Sequence, residues 1–198
     1  QLRALLRASA FGDIKIMLPL VTTVDEVREA KALVEECKRE LDAEGVAYNK
    51  DIEVGTMIET PSASLIADKL ARECDFFSIG TNDLIGYTMC ADRGNDRIAY
   101  LYEVYQPSVL RSLKFLIGEG NKEKIMVGMC GEAAADPLLI PVLLSFGLDE
   151  FSVSAPSVLR TRKTIAAWTK AEADELTARV MELDTAAEVK ALLEREAR

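Results

Sequence analysis

Residues 52–79, IEVGTMIETPSASLIADKLARECDFFSI, decide the fold. Ile52–Ile58 is a short apolar run, the mark of a buried strand. Thr60-Pro61 then supplies a helix cap and a proline at the first helical position, predicting a helix to about Glu73. Asp75–Ile79 returns to a short apolar run. Strand, helix, strand in this order predicts a parallel pair joined by a right-handed crossover. Outward from this unit, Ile14–Val21 (IKIMLPLV), Ile125–Cys130 (IMVGMC) and Glu150–Ser154 (EFSVS) read as further strands. All are short and mostly apolar on both alternating faces, as expected of parallel strands buried on both sides.

Helical patterns fill the gaps. Thr23 and Glu26 form a capping box before Val24, Val27, Leu33, Val34, Cys37 and Leu41, and Gly45 closes that helix. Pro107 opens another, with Leu110, Leu113, Leu116 and Ile117 on one face. Asp136-Pro137 opens a fourth that ends near Gly147, and a fifth runs from about Val158 to Trp168. Residues 171–198 read as two polar helices, the second capped by Thr185 and Glu188. The result is an α/β chain of five βα units in series. It makes either a small doubly wound sheet or part of an eight-stranded barrel, which when complete takes about 250 residues.

Composition narrows the chemistry. The chain has 198 residues, 49% hydrophobic and 29% charged, an ordinary globular balance. Lys and Arg total 24 against 33 Asp and Glu, a net charge of -9 that argues against nucleic acid or an anionic membrane as partner. No apolar run approaches the roughly 20 residues of a membrane span. Cys37, Cys74, Cys90 and Cys130 are scattered with no CxxC spacing, which suits reduced thiols in the cytoplasm. Histidine is absent, which removes histidine-based nucleophilic catalysis, metal ligation and phosphotransfer from this sequence. The chain opens on Gln1 and reads as a piece of something longer.

Ligands of parallel α/β folds bind at the carboxyl ends of the strands. Glu59 follows the second predicted strand. Asn82 and Asp83 follow the third. Cys130 ends the fourth, followed by Gly131 and Glu132. Glu59 and Asp83 suit a hard cation such as magnesium, bound through one or two carboxylates, waters and substrate phosphate oxygens. Arg93, in the loop Asp92-Arg93-Gly94-Asn95, carries a planar fork suited to phosphate or carboxylate. Asn82 offers an amide to the same oxyanion. Cys130, between glycines at the rim, has a thiol proton to give. Each also has a plain structural use: Glu59 as a first-turn acid favoured by the helix dipole, Asn82 and Asp83 as turn formers, Arg93 as a surface loop residue, Cys130 as a small buried apolar group.

Three motifs then carry a resemblance: MIETPSAS (57–64), SIGTNDLIGYTMCADRGND (78–96) and GMCGEAAAD (128–136). Together they resemble the C-terminal domain of enzyme I of the bacterial phosphotransferase system, and more loosely pyruvate phosphate dikinase and phosphoenolpyruvate synthase. The resemblance covers essentially the whole chain. It implies that residues 1–198 form part of a phosphoenolpyruvate-binding TIM barrel: its C-terminal five βα units, strands four to eight, with closing helices over 171–198. It implies Glu59 and Asp83 as Mg2+ ligands, Asn82, Asp83 and Arg93 as the substrate-binding set, and Cys130 as the acid that protonates the enolate to pyruvate. It implies transfer of the phosphoryl group to a histidine on an N-terminal domain, then to a histidine phosphocarrier protein for sugar uptake, in a homodimer. The sequence departs from the family at Ile85-Gly86, where Thr-Gln is common, and at Ala133-Ala134-Ala135-Asp136, where a relative has LAGD. The family's phosphohistidine domain and first three barrel strands precede the matching region. A non-catalytic dimerisation module is the rival from another class, since open sheet edges seek partners.

Overall fold

The computed structural model describes all 198 residues. In chain order the elements are helix α1 (Leu2–Ala8), strand β1 (Ile16–Leu18), α2 (Val24–Glu44), β2 (Val54–Ile58), α3 (Pro61–Leu65), α4 (Ala67–Leu70), β3 (Phe76–Gly80), α5 (Thr81–Met89), α6 (Pro107–Lys122), β4 (Met126–Cys130), α7 (Ile140–Phe146), β5 (Glu150–Phe151), α8 (Val158–Ala166), α9 (Lys170–Val180) and α10 (Ala186–Glu196). All five expected strands are present, most of them shorter than the apolar runs that announce them.

The strands pair in parallel, in the order β1-β2-β3-β4-β5. A doubly wound sheet has a switch point at which strand order reverses. None occurs here. Consecutive strands laid side by side in chain order form the wall of a (β/α) barrel, open along β1 and β5. Register is pinned by a repeated device. Asp75, just ahead of β3, accepts the Val54 N–H of β2 at 2.7 Å, and Asp149, just ahead of β5, accepts the Val127 N–H of β4 at 2.9 Å.

The two faces of the sheet differ. Phe77, Ile79, Val127 and Met129 share one face and join Leu110, Leu113, Leu116 and Ile117 of α6 in a core of 32 buried residues. A smaller cluster, Leu6, Ile16, Val34, Leu41, Ile52 and Val54, seals α1 and α2 to the first two strands. The opposite face carries Met17, Gly55, Met57, Ser78, Gly80, Gly128, Cys130 and Glu150 by the same register. The expectation of burial on both faces holds only in part: Phe76 on this face is 5% exposed, whereas Met17 is 41% exposed. Helices cover only the outer face of a barrel wall, and the inner face curves toward an axis where small side chains leave room.

Several helices differ from the sequence pattern. The expected helix over residues 60–73 is broken at Ile66 (φ -110, ψ 22), its first piece tied to α6 by a 2.6 Å hydroxyl pair between Ser64 and Ser112. Asp136 opens no helix. Its side chain accepts the Leu138 N–H at 2.9 Å in a local turn, and the helix begins at Ile140 with Pro141 in its first turn. The tail helices are not polar throughout, since Leu176, Val180, Val189, Leu192 and Leu193 are buried. The turn expected after Ile79 is instead the first turn of α5, which follows β3 without a gap.

Candidate functional site

The carboxyl ends of β2, β3 and β4 lie side by side, as their pairing requires. Glu59 follows β2 and is only 6% exposed. Its Oε1 accepts the backbone N–H of Leu20 at 2.7 Å. Leu20 lies just beyond β1 and holds φ 53, a conformation uncommon for a residue with a branched side chain. Burial pushes the Glu59 carboxyl above the usual carboxylate range; the Leu20 N–H works against this, and the neighbouring Asp83 carboxylate adds to the rise. No basic side chain contributes to the balance at Glu59.

Two adjacent carboxylates, one of them buried and neither in a salt bridge, suit a hard divalent ion. The chain holds no group of three or more His, Cys, Asp or Glu able to cage a metal. Two carboxylates are the kind of donor set magnesium takes when it keeps waters and substrate oxygens.

Asn82 and Asp83 occupy the first turn of α5, whose N-cap, Gly80, offers no side-chain cap. The first N–H groups of a helix without a side-chain cap favour an anion, as does the helix dipole. A cavity of about 400 Å³ opens there, lined by Asn82, Asp83, Gly86, Cys90, Arg93 and Tyr102 among others. Arg93 is exposed at its edge. Gly86 lies in the cavity wall.

Cys130 ends β4. Its thiol donates to the Ile79 carbonyl at 3.4 Å and accepts from the Ser78 hydroxyl at 3.9 Å. Its own carbonyl accepts from the Thr81 hydroxyl at 3.1 Å. Gly131 follows at φ 94, and a Cβ there would lie 2.5 Å from Thr81 Oγ1. That close approach locks the Cys130 turn onto the start of α5.

The structure thus brings Asn82, Asp83 and Arg93 to one cavity and sets Glu59 against Asp83. Glu59 and Cys130 do not line that cavity; they stand at the ends of β2 and β4, on either side of β3. Sequence reasoning missed two residues of this region. Leu20 has no polar side chain, and its contribution is a backbone N–H. Tyr102 lies just past a short 3-10 turn (Ala99–Leu101) between α5 and α6, where no period marks it; its hydroxyl donates to the Asn82 carbonyl at 2.8 Å.

A parallel barrel wall with carboxylate, amide and thiol groups at its carboxyl rim defines the class. Residues 1–170 match the model of the PEP-utilising enzyme, PEP-binding domain, and the chain belongs to that family. Its sequence relatives carry a more specific name. Phosphoenolpyruvate-protein phosphotransferases of Bacillus sp. strain S and Bacillus subtilis strain 168 are each 52% identical to it, over 195 and 193 residues. That of Enterococcus faecalis is also 52% identical, over 195 residues. Each match covers 98% of this chain and 34% of the relative, so the chain spans about a third of the length of the curated relatives it matches. The resemblance read from the three motifs is borne out. Among solved structures, a citrate lyase from Burkholderia xenovorans LB400 shares the fold, with a TM-score of 0.62 at 18% identity, covering 98% of this chain and 66% of that one. No helix is long and apolar enough to cross a membrane.

Proposed function

We propose that this chain supplies the magnesium and phosphoenolpyruvate site of a phosphotransferase that passes the phosphoryl group of phosphoenolpyruvate to a protein histidine. The observation that carries the reading is the convergence of Glu59, Asn82, Asp83 and Cys130 on three adjacent strand ends, beside a cavity that Arg93 borders. Glu59 and Asp83 would hold the magnesium ion, which supplies charge neutralisation at the phosphate and enolate oxygens. Arg93 and Asn82 bind and orient the phosphate, and the start of α5 favours its charge.

The chemistry follows from bond making and breaking at one carbon and one phosphorus. The bond from the bridging oxygen to phosphorus breaks, the phosphoryl group goes to a histidine nitrogen, and an enolate is left. Cys130 gives its proton to the enolate carbon, forming pyruvate, and the thiolate regains a proton from solvent. The thiol sulfur lies 3.4 Å from the Ile79 carbonyl at the rim.

The histidine belongs to another domain, because this sequence has none. The same reading places a histidine phosphocarrier protein downstream, in sugar uptake, with a homodimer in the cytoplasm as the working assembly.

Calorimetric titration of the chain with phosphoenolpyruvate tests the proposal. Saturable binding that needs Mg2+, ignores ATP, and disappears in Arg93→Ala and in Glu59→Gln/Asp83→Asn is expected. No binding at millimolar ligand, with the chain folded, overturns it. Labelled phosphoenolpyruvate should leave no acid-labile phosphate on this chain alone.

A further inference from the structure

The inner face of the sheet carries few side chains where β3 meets β4. Register sets Ser78 opposite Gly128 and Gly80 opposite Cys130. Ser78 and Cys130 therefore each face a glycine directly across the ladder and meet one another on the diagonal, on the same face. Along that diagonal the Ser78 hydroxyl makes a hydrogen bond to Cys130 Sγ at 3.9 Å. The sulfur also lies 3.4 Å from the Ile79 carbonyl.

These two neighbours respond differently to charge on the sulfur. A carbonyl oxygen accepts from a thiol but has no hydrogen to give a thiolate. A hydroxyl donates to either form, and a bond to an ionised acceptor is roughly twice as strong as one to a neutral acceptor. No cation on the adjoining elements compensates, since β3, β4, β5 and α5 contain no Lys or Arg. The charged residues on and beside those elements are acidic: Asp83 on α5, Glu132 after β4, Glu150 on β5 and, across β3, Glu59 after β2. Arg93, Tyr87, Cys90 and Tyr102 line the cavity, which Cys130 does not. Arg160 of α8 gives a hydrogen bond to the Ala135 carbonyl at 3.4 Å, and α6 packs on the opposite face of the sheet.

We propose that Ser78 is a positioning residue for Cys130: its hydroxyl donates to the sulfur and stabilises the thiolate left when the thiol proton passes to carbon. The serine keeps its own proton throughout. This rests on the phosphoenolpyruvate reading, in which Cys130 gives that proton, and adds a residue outside the assigned ligand set.

The test compares the parent chain with Ser78→Ala and Ser78→Thr. Iodoacetamide labelling of Cys130, followed by peptide mass mapping, reads the thiolate without any substrate. It is run near pH 7.5 and near pH 10.5, the second being alkaline enough to ionise an ordinary thiol whatever its hydrogen bonds. Loss of one hydrogen bond to the thiolate predicts labelling about three- to tenfold slower in Ser78→Ala near pH 7.5, with the gap closing near pH 10.5. Ser78→Thr keeps the hydroxyl and should label within about twofold of the parent at both.

Equal rates in the parent and Ser78→Ala near pH 7.5 overturn the inference. A slowing of the same size at both pH values also overturns it, since Ser78 then governs access to the sulfur rather than its charge. So does a Ser78→Thr chain as slow as Ser78→Ala. A parent chain that binds no phosphoenolpyruvate in the Mg2+ titration overturns the functional reading itself, and the labelling rates still decide whether Ser78 stabilises the Cys130 thiolate.

Discussion

Gly131→Ala tests the link between the Cys130 turn and the start of α5. Gly131 sits at φ 94 and ψ -177, a region essentially reserved for glycine, where another residue costs about 1–3 kcal/mol. A Cβ there would lie 2.5 Å from Thr81 Oγ1, a distance real Cβ atoms do not tolerate. Thr81 is 1% exposed and its hydroxyl is already committed to the Cys130 carbonyl at 3.1 Å. It cannot swing away without losing that hydrogen bond, worth about 1 kcal/mol. The two contributions sum to about 2–4 kcal/mol. In a chain of this size each kcal/mol lowers the melting midpoint by roughly 2–4 °C, so a fall of roughly 5–15 °C is expected by scanning calorimetry. Thr81→Ala should cost less in the Gly131→Ala background than on its own, because the hydrogen bond to the Cys130 carbonyl is already lost there, and the backbone share remains. A Gly131→Ala chain that melts within about a degree of the parent would refute the reasoning.

Three further outcomes follow from other parts of the structure. Phe77→Ala removes a fully buried ring between β3 and α6 and should cost about 3–5 kcal/mol in urea unfolding; a loss below about 1 kcal/mol contradicts the core assignment. Arg198 above all, then Thr169, hold the Glu172 carboxyl down to about 2. A depressed carboxyl contributes stability that is present above its usual value of 4.5 and is lost as pH falls from there toward 2. Glu172→Gln should flatten that stretch of the stability–pH curve, and an unchanged slope argues against the pair. Burial pushes the Cys74 thiol up to about 12, while Cys90 is exposed. Iodoacetamide at mildly alkaline pH should therefore label Cys90 well before Cys74, and mass mapping showing the reverse order counts against the packing around Cys74.

Much of this molecule is legible in its sequence because the signals are local. The capping box of Thr23 and Glu26, the Thr60 cap with Pro61 behind it, and the Gly45 stop all form as their residues predict. Glu59, Asn82, Asp83 and Cys130 were found because strand ends are predictable from apolar runs, and strand ends are where parallel folds bind. What local pattern could not reveal depends on distant partners. Strand order decided barrel wall over doubly wound sheet, and hydrogen bonding between segments far apart in sequence sets that order. The break at Ile66 and the buried stripes of the tail helices follow from packing against the core rather than from propensity.

The sequence by itself determined the α/β class, the five strands and the polar residues that end them, because period, caps and turn chemistry act over a few residues. Only the tertiary structure decided which face of the sheet is open, that Leu20 gives its N–H to Glu59, and that the Tyr102 hydroxyl donates to the Asn82 carbonyl. Those facts arise from where the chain returns in space, and no short-range pattern encodes a backbone N–H or a loop tyrosine as part of a site.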